Sequence, residues 1–243
     1  MTGTATYPSL RGGALMIGSL YWENEHIAPG ARLGRLKRLW REELDLRQKA
    51  FMDVPIRYGM RSARRWQTYT MVFSQSASSG RAIWAPFRKE VTSVADFLAQ
   101  ARQLGEAEGY AENNHPEPLH CPWGLVSICW HPRLRKSEHP FMTAWREAFA
   151  RFTHADKYGV AGEPSCVNEV GELTVDLAIP DSVDYLLATP NVPNLVRYPS
   201  PREIARSIKN SAPGYDTYLR KNVAHGIRVP GDDVVMTLLR DDQ

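Results

Sequence analysis

The nine residues Ala14–Trp22 read ALMIGSLYW and form one of the longest apolar runs in the chain. The run has the length of a β-strand, and Gly18 and Ser19 interrupt it. A glycine inside a strand pattern indicates a bulge or a close approach of the backbone to a ligand. We therefore expect the first strand of a sheet here, with a point of special backbone geometry at Gly18.

Strand and helix patterns alternate irregularly along the rest of the chain. Apolar or alternating runs predict strands at Val54–Tyr58, Thr68–Ser74, Arg81–Phe87, Trp123–Trp130, Glu172–Ile179, Tyr185–Thr189 and Asp233–Leu239. Helical periodicity and capping residues predict helices at Arg32–Lys49, Ser93–Glu108, Met142–Phe152, Pro201–Ile208 and Tyr215–Val223. This mixture favours an α+β fold, with a mixed sheet or a small β-barrel flanked by helices.

The loop Asn113–Pro122, NNHPEPLHCP, is the one plausible internal boundary in the sequence. It separates residues 1–112 from an α+β region, 113–243, that is either an extension of unknown role or the completion of the same domain.

The composition is that of a globular protein: of 243 residues, 43% are hydrophobic and 23% are charged. No apolar run approaches the roughly 20 residues of a membrane-spanning helix. The N-terminus lacks the basic and apolar regions of a signal peptide. Three cysteines leave one unpaired in any disulfide scheme, so we expect reduced thiols and a cytoplasmic location.

Positive charge is concentrated between Arg32 and Arg65. That stretch holds eleven basic and four acidic residues, a net charge of +7, so the remainder of the chain carries −4 of the total of +3. Cations interleaved with leucines from Leu33 to Leu44 predict an amphipathic helix with its apolar side packed and its cations outward. The block is either a solvated helix face or a surface that attracts an anionic partner.

Other chemistries lack a matching pattern. Histidines and cysteines cluster between His115 and His131, but their spacing fits no known zinc site, so we expect no metal site. Cys166 lies between acidic residues, which oppose its activation as a nucleophile. The sequence has no P-loop, no nucleophile elbow and no dinucleotide-binding glycine motif.

Ser93–Glu108 is the clearest helix, and its geometry singles out Glu108. Ser93 is a suitable N-cap, and Phe97, Ala101 and Leu104 share one face, which Glu108 continues. Glu106 falls on the opposite, polar side. A carboxylate facing an apolar core is costly unless it is paired or functional. If the helix instead ends at Gly105, Glu108 is simply exposed.

Two short motifs resemble the γ-glutamylcyclotransferase superfamily. Its first strand carries a Tyr-Gly-Ser motif, and this chain has Ile17-Gly18-Ser19-Leu20-Tyr21-Trp22. Its catalytic glutamate lies in a Leu-Asp-x-x-Glu-Gly segment, and this chain has Leu104-Gly105-Glu106-Ala107-Glu108-Gly109. The resemblance covers residues 13–110. Ile17 stands in place of the tyrosine, and Gly105 in place of the aspartate.

The resemblance implies a cofactor-free reaction on γ-glutamyl amides that releases 5-oxoproline. Glu108 would be the general acid and base, and the backbone of Gly18, Ser19 and Leu20 would bind the γ-carbonyl oxygen. From charge and proximity in sequence, one of four arginines would hold a substrate carboxylate: Arg57, Arg61, Arg64 or Arg65. We take Arg57, Arg61 and Arg64 as the candidates. The alternative prediction is a non-catalytic module that docks an anionic protein or nucleic acid through residues 32–65, with no membrane partner in either case.

Overall fold

The computed structural model describes residues 8–23, 32–65, 67–111, 118–136, 139–160, 162–211 and 216–240, without the side chain of Arg64. Eight strands lie in these ranges: β1 Gly12–Met16, β2 Ala50–Ser62, β3 Thr68–Phe73, β4 Ser79–Pro86, β5 His120–Cys121, β6 Gly124–Leu125, β7 Ser127–Trp130 and β8 Tyr185–Ala188. Six α-helices lie in the same ranges: α1 Arg32–Glu42, α2 Val94–Glu108, α3 Pro140–Ala148, α4 Pro201–Lys209, α5 Thr217–Ala224 and α6 Asp232–Arg240.

Six of the strands form one curled, mixed sheet with the order β3-β2-β4-β1-β8-β7. The pairing of β1 with β8 is parallel, and the other pairings in this sheet are antiparallel. The predicted α+β class with a mixed sheet and flanking helices is confirmed. Strands from both sides of the segment 113–122 belong to this sheet.

Helix α2 packs on the sheet through an aromatic cluster around Phe97. The ring of Phe97 contacts those of Trp130 and Tyr185 in the sheet and those of Phe141 and Trp145 in α3, at centroid distances of 5.2–5.8 Å. Such ring pairs add to the stabilisation from apolar burial. The cluster fixes α2, and therefore the residues at its C-terminus, against β7 and β8.

Local signals predicted several elements correctly. Ser93 caps α2 by accepting a hydrogen bond from the backbone of Asp96, and the helix continues through Gly105 to Glu108. Ser200 and Glu203 form the expected capping box at the start of α4. These signals are local, so they act wherever the rest of the chain places the helix.

Two predicted strands are wrong. The segment predicted as a strand at Asp233–Leu239 is the helix α6, in which Val235 and Leu239 are buried four residues apart while Val234 is exposed. Glu172–Ile179 forms no strand; Glu172 and Leu173 make only isolated bridges to Ile128 and Val167. Short apolar runs fit both periodicities, and packing decides between them.

Several element boundaries also differ, and two of them bear on the site. The first strand ends at Met16 rather than at Trp22, because Ser19–Tyr21 turns into a 3₁₀-helix. The basic helix ends at Glu42 rather than at Lys49, and the chain enters β2 at Ala50. The first difference matters for function, since it moves Gly18 and Ser19 from a strand interior to the carboxyl end of β1.

Candidate functional site

The turn Gly18–Leu20 follows β1 and contains three backbone N–H groups. Tyr21 and Glu23 close the turn by donating to the carbonyl oxygens of Gly18 (3.3 Å) and Ser19 (2.7 Å). Within the described ranges, the N–H groups of Gly18, Ser19 and Leu20 have no hydrogen-bond acceptor. Buried backbone donors are almost always paired, and Leu20 is 4% exposed. The turn therefore has the donors that an oxyanion needs.

Gly18 is required by the close approach of Tyr218 from α5. A Cβ atom on Gly18 would lie 2.6 Å from the Tyr218 hydroxyl oxygen. That hydroxyl accepts a hydrogen bond from the backbone N–H of Met71 in β3 (3.3 Å), which fixes its position. The glycine thus serves close packing here.

A buried charged cluster surrounds the turn. The carboxylate of Glu23 accepts from Lys37 Nζ at 2.5 Å, from Arg65 Nη2 at 2.9 Å and from Ser19 Oγ at 3.0 Å. Glu23 is 8% exposed and Lys37 is 4% exposed. Arg41 from α1 donates to the carbonyl oxygen of Leu20 at 2.7 Å. The turn is thus tied to α1 and to the 3₁₀-helix Ala63–Arg65.

The electrostatics of this cluster keep Glu23 ionised. Burial alone would raise the pKa of Glu23, but the charges of Arg65 and Lys37, with hydrogen bonds from Lys37 and Ser19, outweigh it and lower the pKa to about 2. Burial lowers the pKa of Arg41 from its usual value, and the charge of Glu23 opposes that shift.

The prediction that the cations of the basic helix face outward is wrong for Lys37 and Arg41. Both lie on the buried side of α1 with Leu33 and Trp40. Their burial is tolerated because Glu23 and backbone carbonyls satisfy them. Part of the basic block therefore serves the interior of the protein.

Glu108 is the last residue of α2, and Gly109 ends the helix with a positive φ of 92°. Its Oε1 accepts a hydrogen bond from the hydroxyl of Thr189 at 2.9 Å. Burial, then the charge of Glu108, raises the pKa of the Tyr110 hydroxyl well above its usual value. The Glu108 side chain is therefore directed at the sheet, as the helical pattern predicts, and is half-buried.

The helix reaches Glu108 because Gly105 leaves room for the chain beside it. A Cβ atom on Gly105 would lie 1.8 Å from the carbonyl oxygen of Pro118. The glycine that weakens the helix locally thus permits its close packing against Pro118.

The parallel pairing of β1 with β8 relates the turn to Glu108. Leu15 of β1 pairs with Ala188 of the parallel strand β8. The next residue of β8 is Thr189, the partner of Glu108, and Gly18 follows Leu15 by three positions. Neighbouring strands are about 4.8 Å apart. The turn and the Glu108–Thr189 contact therefore lie at the same end of this strand pair.

Two of the three arginines predicted to bind a carboxylate, Arg57 and Arg61, have other partners. Arg57 lies over the ring of Tyr198 at 3.6 Å and 3.9 Å from a Glu163 oxygen. Arg61 stacks on Tyr69. Within the described ranges neither forms a hydrogen bond or ion pair with the turn, and the side chain of Arg64 lies outside them. Their role as substrate ligands stays a prediction.

Glu23, Lys37 and Arg41 are not among the functional residues predicted from the sequence. The signal for Lys37 and Arg41 is their spacing: they lie four and eight residues after the buried Leu33 and thus on its face. Glu23 directly follows the turn motif, but its sequence neighbours do not mark it as the partner of Lys37.

Comparison with known proteins gave no match. No protein-family model matches the chain, and neither a curated protein nor a solved structure matches it significantly. Among the helices in the described ranges, none has the length and apolar character needed to span a bilayer.

Proposed function

We propose that this protein is a cyclotransferase that releases 5-oxoproline from γ-glutamyl amides. The observation that carries the proposal is that two motifs distant in sequence lie at the carboxyl end of one parallel strand pair: the turn Gly18–Leu20 after β1, and Glu108, hydrogen-bonded to Thr189 after β8. The resemblance pairs these two motifs from sequence alone, and the parallel strand pair is consistent with it.

In the proposed reaction the substrate's α-amine attacks its own γ-carbonyl carbon. Glu108 accepts a proton from the amine as the new C–N bond forms. The N–H groups of Ser19 and Leu20 stabilise the oxyanion of the tetrahedral intermediate. Glu108 then protonates the leaving amine as the original C–N bond breaks. The carboxylate returns to its starting state, and no electron acceptor or metal takes part.

Docking of an anionic macromolecule on residues 32–65 has less support. Lys37 and Arg41 are buried against Glu23 and the turn, so they are not available at the surface. The guanidinium groups of Arg57 and Arg61 stack on tyrosine rings. We therefore assign part of the positive charge of this block to positioning the turn.

The test is release of 5-oxoproline from γ-glutamyl-L-alanine by purified protein. We expect activity in the wild type, loss of about a hundredfold or more in Glu108→Gln, and near-normal activity in Glu106→Gln. The second variant makes the same chemical change two residues away on α2. No product from the wild type, or equal rates in the wild type and Glu108→Gln, would contradict the proposal.

A further inference from the structure

Arg65 is the most accessible charged side chain in contact with the turn. Its side chain is 21% exposed, against 10% for its partner Glu23. One nitrogen, Nη2, donates both to Ser19 Oγ at 2.8 Å and to Glu23 Oε1 at 2.9 Å. In the part of the chain that the structure describes, Nη1 and Nε donate to no acceptor. Arg65 is thus held through Nη2, and the N–H groups of Nη1 and Nε can donate to a ligand.

The packing around Arg65 holds its guanidinium group in a defined orientation. The group lies over the ring of Tyr218 at 5.0 Å, and Tyr218 is itself held by the backbone of Met71. A cation over an aromatic face is stabilised there. A guanidinium held on one side by a carboxylate and on its face by a ring is preorganised for an anion on its remaining side.

Among the described residues, positive charge exceeds negative charge beside the turn. Lys37 and Arg65 share the carboxylate of Glu23. Two cations on one carboxylate can attract a second anion. Because the position is partly buried, the effective dielectric constant is lower there and the attraction is stronger. Ser19, which belongs to the turn, binds Arg65 directly, so such an anion would lie next to the backbone donors of the turn.

We propose that Arg65 binds the α-carboxylate of the substrate and thereby selects γ-glutamyl compounds over amides that lack this group. The inference rests on the proposed function and names its recognition residue. A γ-glutamyl group has three polar parts: the γ-carbonyl, the α-amine and the α-carboxylate. The turn and Glu108 take the first two, and Arg65 takes the third. Glu23 is a positioning residue that holds Arg65.

The test compares two ligands that differ only in the α-carboxylate. γ-Glutamyl-L-alanine has the group, and γ-aminobutyryl-L-alanine lacks it. Calorimetric binding is measured in the Glu108→Gln background, where turnover is prevented. With Arg65 present we expect the carboxylate to strengthen binding at least tenfold. In Arg65→Gln the two ligands should bind equally.

Two further variants serve as controls. Arg38 lies on α1 with a side chain that is 65% exposed, so Arg38→Gln removes the same charge away from the turn and should keep the full discrimination. Arg65→Lys retains the charge toward Glu23 if Arg65→Gln does not fold. It should discriminate less than the wild type, because an ammonium lacks the planar fork of a guanidinium. Unchanged discrimination in the soluble Arg65 variants would overturn the assignment.

The outcomes separate this inference from the proposed function. If the wild type forms no 5-oxoproline but Arg65 governs the discrimination, the reaction is refuted and the binding residue stands. If the wild type is active and Arg65→Gln keeps its KM and kcat, the reaction stands and the assignment of Arg65 is overturned. Binding of neither ligand would refute the inference.

Discussion

Replacing Glu23 by glutamine tests the buried cluster that supports the turn. The variant leaves Lys37, 4% exposed, without its carboxylate. The pKa of Glu23 falls from 4.5 to about 2, and 2.5 pKa units correspond to about 3.4 kcal/mol in favour of the ionised form. Breaking a buried ion pair typically costs about 3–5 kcal/mol. We therefore expect Glu23→Gln to lower the free energy of unfolding at pH 7 by about 3 kcal/mol.

Urea unfolding, followed by tryptophan fluorescence over a range of pH, measures this effect. Because the folded-state pKa of Glu23 lies below the unfolded one, its contribution is present above pH 4.5 and is lost as the pH falls toward 2. The difference between wild type and Glu23→Gln should therefore shrink in that window.

Two controls accompany the measurement. Glu42→Gln disrupts an exposed ion pair, since the side chains of Glu42 and Arg38 are 62% and 65% exposed. It should lower the free energy of unfolding by less than about 0.5 kcal/mol. Adding Lys37→Met to Glu23→Gln removes the unpaired charge and should restore part of the stability. A difference at pH 7 below about 1 kcal/mol, or one that persists unchanged at pH 2, would refute the reasoning.

Three further predictions concern packing and pH. Gly105→Ala should destabilise the protein by about 1–3 kcal/mol in denaturant unfolding, because the alanine Cβ would meet the Pro118 carbonyl. Alanine by itself favours helices over glycine by about 1 kcal/mol. A stabilised variant would therefore contradict the contact. Gly18→Ala should displace the Tyr218 hydroxyl and lower the thermal midpoint of unfolding. An unchanged midpoint and an unchanged tyrosine spectrum would contradict the close packing of Tyr218 against Gly18. Burial raises the pKa of Asp232 from 3.8 to about 6. The contribution of Asp232 to stability is therefore full below pH 3.8, and about 3 kcal/mol of it is lost as the pH rises through 6. Asp232→Asn should abolish this pH dependence of the free energy of unfolding, and a dependence that remains would exclude Asp232 as its source.

Helix α2 shows what the sequence can predict and why. Its cap at Ser93 and the apolar stripe from Phe97 to Leu104 are local features, so the direction of Glu108 follows from helical geometry alone. Its hydrogen-bond partner Thr189 could not be predicted in this way. That contact depends on the parallel pairing of β1 with β8, strands far apart in the chain.

The basic helix shows the opposite case. Its amphipathic pattern predicts α1 correctly, but the assumption that cations face water fails for Lys37 and Arg41. Their burial depends on Glu23 and on carbonyl groups of the turn, which come from another part of the chain. Charge patterning thus located the basic block, while only the three-dimensional pairing distinguishes its internal cations from its surface ones.

The most direct test of the central claim is a crystal structure of Glu108→Gln with γ-glutamyl-L-alanine bound. We predict the ligand at the carboxyl ends of β1 and β8, with its γ-carbonyl oxygen about 3 Å from the N–H groups of Ser19 and Leu20. Its α-amine should lie beside the side chain of residue 108, and its α-carboxylate beside Arg65. A ligand bound elsewhere on the protein, with the turn unoccupied, would contradict the account.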